Sequence, residues 1–192
     1  SFDRIEIEPG RSLHYLLQGP DDAPFVLFDA GAFGIYADGW WLADALKKNF
    51  RICLYDRAGM GASDPPPAAE TPAPDFHVED IRRLLRALGH DGKMILIGHS
   101  MAGLRQHAFA NMYPEELAGL VFVDALAPRQ LDRTHGRFLA DRFGTILKAG
   151  AYGARIGLAA PVTKILAPNN FRLDGPPRAD KVAAYAAASH HA

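Results

Sequence analysis

The residues best equipped for chemistry lie in one segment, KMILIGHSMAGLRQHAFANMYP, residues 93–114. A buried apolar run enters Gly98-His99-Ser100-Met101-Ala102-Gly103, and an amphipathic stretch leaves it. A strand that turns straight into a helix brings the two backbones almost into contact, so only small residues fit around the turn. Gly98, Ala102 and Gly103 supply them. Ser100 then stands at the C-terminal edge of a sheet, where open α/β sheets present ligands. Its hydroxyl would attack an acyl carbon. The backbone N–H of Met101, at the N-terminus of the next helix, would hold the oxyanion that forms. The pattern is G-x-S-x-G with alanine, Ala102, in the last place. The plainer reading is a small residue in a tight turn.

A second segment complements the first. FVLFDAGAFG, residues 25–34, closes a buried strand at Ala30-Gly31. An oxyanion needs a second donor from the loop after a neighbouring strand, and the N–H of Ala32 is placed to give it. Taken alone, this segment also reads as an ordinary glycine turn.

The surrounding elements must position both turns. Residues 2–8 alternate at period two, Pro9-Gly10 punctuates them, and residues 12–18 resume, which predicts a hairpin. Residues 25–30 and 51–56 are continuous apolar runs of buried strands. Trp41, Leu42, Ala45 and Leu46 predict a helix over 38–49 with Asp38 as N-cap. Val78, Ile81, Leu84, Leu85 and Leu88 form one stripe of a helix over 75–88, closed by Gly89. A strand up to Gly98, a helix over 101–113 stopped by Pro114, and a strand over 117–125 follow. Strands alternating with helices make an α/β fold with a mainly parallel sheet, flanking helices and an antiparallel hairpin at one edge. From residue 129 to 192 the chain turns alanine-rich. It predicts helices over 131–143 and 178–191, an appendage to a core spanning residues 1–128.

Composition removes several classes of function. The chain has 192 residues and a net charge of −1, so it offers no electrostatic footprint for nucleic acid or an anionic membrane. No run reaches the ~20 apolar residues of a membrane span. The lone cysteine, Cys53, excludes a disulfide framework or cysteine-cluster metal site and sits in an apolar run as a buried, inert thiol. Gly59-Met60-Gly61 leads into prolines rather than a helix, which argues against dinucleotide binding, and there is no P-loop or H-E-x-x-H. Of Trp40 and Trp41, one is expected packed and one exposed. The chain opens on Ser1 with no basic, then apolar, leader, so a cytoplasmic location is the expectation.

VLFDAGAFG, YDRAGMGASDP and IGHSMAG, followed by YPEELAGLVFVDALAP, together resemble the α/β-hydrolase superfamily, in particular its alpha/beta hydrolase-1 type enzymes. The resemblance covers roughly residues 10–128, and the stretch from 129 onward is similar to the helical cap of such enzymes. It departs from the pattern in having Ala30 before Gly31 where a His-Gly pair is frequent. The resemblance implies Ser100 as nucleophile, oxyanion donors at the Ala32 and Met101 N–H groups, no cofactor and no metal. It also implies ester, lactone, amide or epoxide hydrolysis.

The same resemblance exposes a gap. A serine hydroxyl needs a base, and the pattern puts an acid and then a histidine after later strands. Asp124 stands where some relatives carry the acid, although capping of the strand end is its preferred role. His190 and His191 point to different helix faces and, with His135, read as surface or cap residues. His99 is too close in sequence to bend back onto Ser100, and His107 reads as a packing residue. Two further strand–helix units need roughly 50 residues, so the chain reads as the front part of a hydrolase lacking its last strands. The expected function is a serine hydrolase acting on a small hydrophobic acyl substrate. The alternative is a non-catalytic or inactive hydrolase-like fragment serving as a binding or interaction module, whose exposed sheet edge invites self-association or partner pairing.

Overall fold

The computed structural model describes residues 2–67 and 73–130. Within Ser1–Pro128, which forms one compact unit, six strands build a single sheet. They are β1 (Phe2–Glu8), β2 (Arg11–Gln18), β3 (Phe25–Asp29), β4 (Arg51–Tyr55), β5 (Met94–His99) and β6 (Leu117–Val123). Their spatial order is β1-β2-β4-β3-β5-β6. The hairpin β1–β2 is antiparallel and joins β4 antiparallel, whereas β4, β3, β5 and β6 run parallel. The α/β class and the hairpin at one edge are as the residue pattern requires. The appendage over 129–192 and its helices lie, beyond Gln130, outside the described residues.

Each parallel pair needs a crossover. Helix α1 (Trp40–Leu46) links β3 to β4, α2 (Pro74–Ala87) links β4 to β5, and α3 (Ala102–Met112) links β5 to β6. The stripe of α2 is buried at Val78, Ile81, Leu84 and Leu85, against Leu27, Leu96 and Phe109 among others. Its end is a Schellman cap. Gly89 has φ 72°, its N–H donates to the Arg86 carbonyl at 3.0 Å, and the His90 N–H donates to the Leu85 carbonyl at 2.9 Å. Cys53 is fully buried, and burial pushes its thiol up to about 12.

The first crossover differs from the expected helix over 38–49. A short 3₁₀ turn, Tyr36–Gly39, precedes α1, which starts at Trp40, ends at Leu46 and has no side-chain cap. Asp38 therefore is not an N-cap. The cause is tertiary. The Asp56 carboxylate takes the Tyr36 N–H at 2.8 Å. A Cβ on Gly39 would lie 2.5 Å from Phe28 and 2.7 Å from Leu54, so the turn is pressed onto the sheet there. Trp40 is half-buried beside Tyr36, with ring centroids 6.0 Å apart, while Trp41 is 49% exposed. Among the described residues β6 is an edge strand, with Val121 and Phe122 exposed, and no helix is long and apolar enough to cross a membrane.

Candidate active site

Strands β3 and β5 are parallel neighbours, with Asp29 opposite Gly98. The turns leaving their C-terminal ends, residues 30–32 and 99–101, therefore emerge side by side. A Cβ on Gly31 would lie 3.3 Å from both the Ser100 Cβ and the His99 Nδ1. The two segments that the sequence singled out converge at this point.

Ser100 has φ 54°, the left-handed region. For a residue with a Cβ this costs about 1–2 kcal/mol, and it persists only where the surroundings fix the backbone. They do so here. The Ser100 N–H donates to the Val123 carbonyl at 3.2 Å, and its carbonyl accepts from Gly103 at 3.1 Å and Leu126 at 2.9 Å. Among the described residues, neither the Ser100 hydroxyl nor the N–H groups of Ala32 and Met101 engage a hydrogen-bond partner. All three residues are half-buried.

The glycine pattern around the turn has a spatial explanation. A Cβ on Gly98 would meet the Gln106 Oε1 at 2.4 Å and the Ala102 Cβ at 3.0 Å. A Cβ on Gly103 would lie 2.3 Å from the Leu126 carbonyl oxygen. Closest approach between this helix and the 125–126 segment thus falls at Gly103. The buried methyl of Ala102 is accommodated beside a glycine, and its departure from G-x-S-x-G leaves the turn intact.

Beneath both turns lies a charged network that sequence reasoning missed. Asp29 is fully buried. Its Oδ2 accepts from Arg105 Nε at 2.6 Å, and its Oδ1 accepts from the Tyr55 hydroxyl at 3.2 Å and from Arg57 at 3.3 Å. Burial works to raise the Asp29 pKa, but the charges of Arg105 and Arg57 outweigh it and hold the carboxyl below its usual range. The Tyr55 phenol moves well above its ordinary value through burial and the adjacent Asp29. Arg57 also donates to three successive carbonyls of the loop after β3: Ala30 and Gly31, each at 2.6 Å, and Ala32 at 3.0 Å. Arg105 reaches the Ala30 carbonyl as well, at 2.7 Å. The available signal was an aspartate closing an apolar strand and an arginine on a helix that must be buried, since charges at such positions persist only when paired.

The loop after β4 is organised by Asp56. Its carboxylate accepts from the Tyr36 N–H at 2.8 Å, the Ala62 N–H at 3.1 Å and the His14 Nδ1 at 2.8 Å. Gly61, at φ 53°, leaves the space this needs, because a Cβ there would lie 2.1 Å from Asp56 Oδ2.

Among the described residues none of the remaining titratable candidates makes a hydrogen bond to the Ser100 side chain. Asp124 follows β6 at φ 44°, exposed. His99 is exposed. The Nδ1–H of His107 donates to the Gly103 carbonyl at 2.7 Å, and its ring tilts against Phe122. His135, His190 and His191 lie outside the described residues. Among the described residues no cluster of His, Cys, Asp or Glu could hold a metal ion.

Comparison with known proteins places this geometry in context. A family model described as alpha/beta hydrolase fold matches residues 24–183. Epoxide hydrolase 1 of Caenorhabditis elegans is 34% identical over 113 residues, 57% of this chain and 27% of the relative. Methylesterase 1 of Arabidopsis thaliana is 28% identical over 131 residues, 67% of this chain and 48% of the relative. The chain thus spans between about a quarter and a half of the length of these curated relatives. A crystal structure of a mutant epoxide hydrolase from Bacillus megaterium, in complex with its product, superposes with a TM-score of 0.75 at 24% identity, covering 97% of this chain and 66% of that one.

Proposed function

This chain belongs to the alpha/beta hydrolase fold family, and from that footing we propose that it is a serine hydrolase with Ser100 as nucleophile. The observation that carries the reading is Ser100 at φ 54° between β5 and α3, with the Ala32 and Met101 turns alongside. Ser100 Oγ attacks the acyl carbon of an ester-like substrate while its proton passes to a general base. The Ala32 and Met101 N–H groups hold the oxyanion. Collapse breaks the bond to the leaving alcohol, which takes the proton, and water then hydrolyses the acyl-enzyme. Phe33, 58% exposed and adjacent to Ala32, supports a small hydrophobic acyl group as the substrate class.

The relatives named above divide between epoxide and ester chemistry, and the residue at position 100 favours the ester. A serine oxygen that opens an epoxide forms an alkyl ether, which water does not release. The same oxygen on an acyl carbon forms an ester, which water does. Serine thus fits turnover of acyl substrates.

A fluorophosphonate tests the reading on the 192-residue chain. Phosphonylation expels fluoride and forms an Oγ–P bond. Mass spectrometry is expected to find the adduct on Ser100 and to lose it in Ser100→Ala. A folded chain that takes no label at Ser100 overturns the proposal. That result would favour the second reading, a non-catalytic module, which the exposed Val121 and Phe122 on β6 support.

A further inference from the structure

We infer that Arg57 strengthens the oxyanion donor at Ala32, as a positioning residue that also polarises the donating peptide. The inference rests on the serine-hydrolase reading above and deepens it.

The Gly31 carbonyl and the Ala32 N–H belong to one peptide group. In a planar trans peptide they point in opposite directions. Arg57 Nη2 donates to the Gly31 oxygen at 2.6 Å from within the protein. Fixing that oxygen inward turns the Ala32 N–H outward, toward the side where Gly31 meets Ser100. The neighbouring peptides are gripped in the same way, by Arg57 on Ala30 and Ala32 and by Arg105 on Ala30. A loop whose conformation is set by three consecutive carbonyls on one guanidinium is preorganised, and preorganised donors need no rearrangement as charge develops.

The guanidinium does more than brace the loop. A hydrogen bond accepted at a carbonyl withdraws electrons through the peptide and makes its N–H a better donor, and a charged donor does so more strongly than a neutral one. Arg57 is 5% exposed, so water screens this effect little. Arg57 and Arg105 share one carboxylate, Asp29. The Arg57 guanidinium stands behind the Ala32 donor, on the peptide that faces the negative charge formed during acyl attack. Neutral substrate feels little of this, so the effect falls on the transition state.

The test uses Arg57→Gln, which keeps some hydrogen bonding without charge, and Arg57→Lys, which keeps charge but not the fork. Inactivation of the full chain by a fluorophosphonate is resolved into reversible binding (Ki) and the bond-forming rate (kinact), and ¹⁵N-alanine labelling follows the Ala32 amide by NMR. Arg57→Gln is expected to lower kinact roughly tenfold or more, with the ~10²–10³ loss of an entire oxyanion donor as its upper bound. Ki should stay within about twofold, and the Ala32 amide proton should shift upfield. Arg57→Lys should fall between the two. A merely structural arginine would change the melting temperature without separating kinact from Ki. A folded Arg57→Gln with wild-type kinact and an unmoved Ala32 amide overturns the inference while Ser100 labelling upholds the serine-hydrolase reading. If Arg57→Gln does not fold, wild-type kinact in Arg57→Lys overturns it. Absence of Ser100 labelling in the wild type overturns the parent reading, and this inference with it.

Discussion

Arg105 Nε lies 2.6 Å from Asp29 Oδ2, so a buried ion pair ties the helix after Ser100 to the strand before Ala32. The two halves of the candidate site are thus held together from below as well as by adjacent strands. Neither residue is more than 7% exposed, and the buried Asp29 carboxylate is held ionised by Arg105 and Arg57 together.

Removing the shared carboxylate should cost more than removing one of its arginines. Asp29→Asn is expected to destabilise by about 3–5 kcal/mol, because the charges of Arg57 and Arg105 both stay buried. Arg105→Leu leaves the Asp29–Arg57 pair in place and should cost less, as urea denaturation can show. The pH dependence has a definite sign. The folded Asp29 pKa lies below its unfolded value, so its contribution is present above the usual carboxylate range and is lost as pH falls through the depressed value. Asp29→Asn should remove that part of the acid limb.

His77 should add a second, higher acid limb. Burial, then the charges of Arg105 and Arg57, lower its pKa from 6.5 to about 4 despite opposing effects from Asp29 and Asp80. Its Nδ1 is buried with no hydrogen-bond partner among the described residues. The unfolded chain therefore binds a proton that the folded one refuses, and stability should decline from pH 6.5 down to about 4 and then level off. Thermal melts of His77→Phe across this window should be flatter than wild type.

Gly103, rather than position 102, should carry the packing requirement of the turn. Gly103→Ala places a methyl 2.3 Å from the Leu126 carbonyl and is expected to cost about 1–3 kcal/mol or more. It should also slow labelling of Ser100. Ala102→Gly completes the G-x-S-x-G pattern yet should give no gain in labelling rate, and should lose up to ~1 kcal/mol from the first turn of α3. Denaturation curves and labelling rates of the two variants distinguish these outcomes.

The strain at Ser100 should appear as stability when it is relieved. Ser100→Gly removes the Cβ at φ 54° and is expected to stabilise by about 1 kcal/mol, or roughly 2–4 °C in Tm, while abolishing labelling. Ser100→Ala abolishes labelling but keeps the Cβ, so its melting temperature should stay near wild type. Scanning calorimetry of the two variants measures the difference.

The sequence by itself determined the layer order, the turn at Ser100 and its partner at Ala32, because these depend on local signals. Apolar runs, a helical stripe and small residues at a fixed spacing can be read without knowing what lies across the sheet. The tertiary structure decided what those signals could not carry. It set the start of α1 through Asp56 and Gly39, which are 17 positions apart in sequence but act on the same 3₁₀ turn. It showed what Gly103 makes room for, the Leu126 carbonyl, which belongs to a different strand's loop. It also placed Arg57 and Arg105 under residues 29–32, contacts that span 25 to 76 positions. Pairing of buried charges is a long-range condition. A sequence shows that Asp29 and the arginines need partners, and only the fold shows which ones they have.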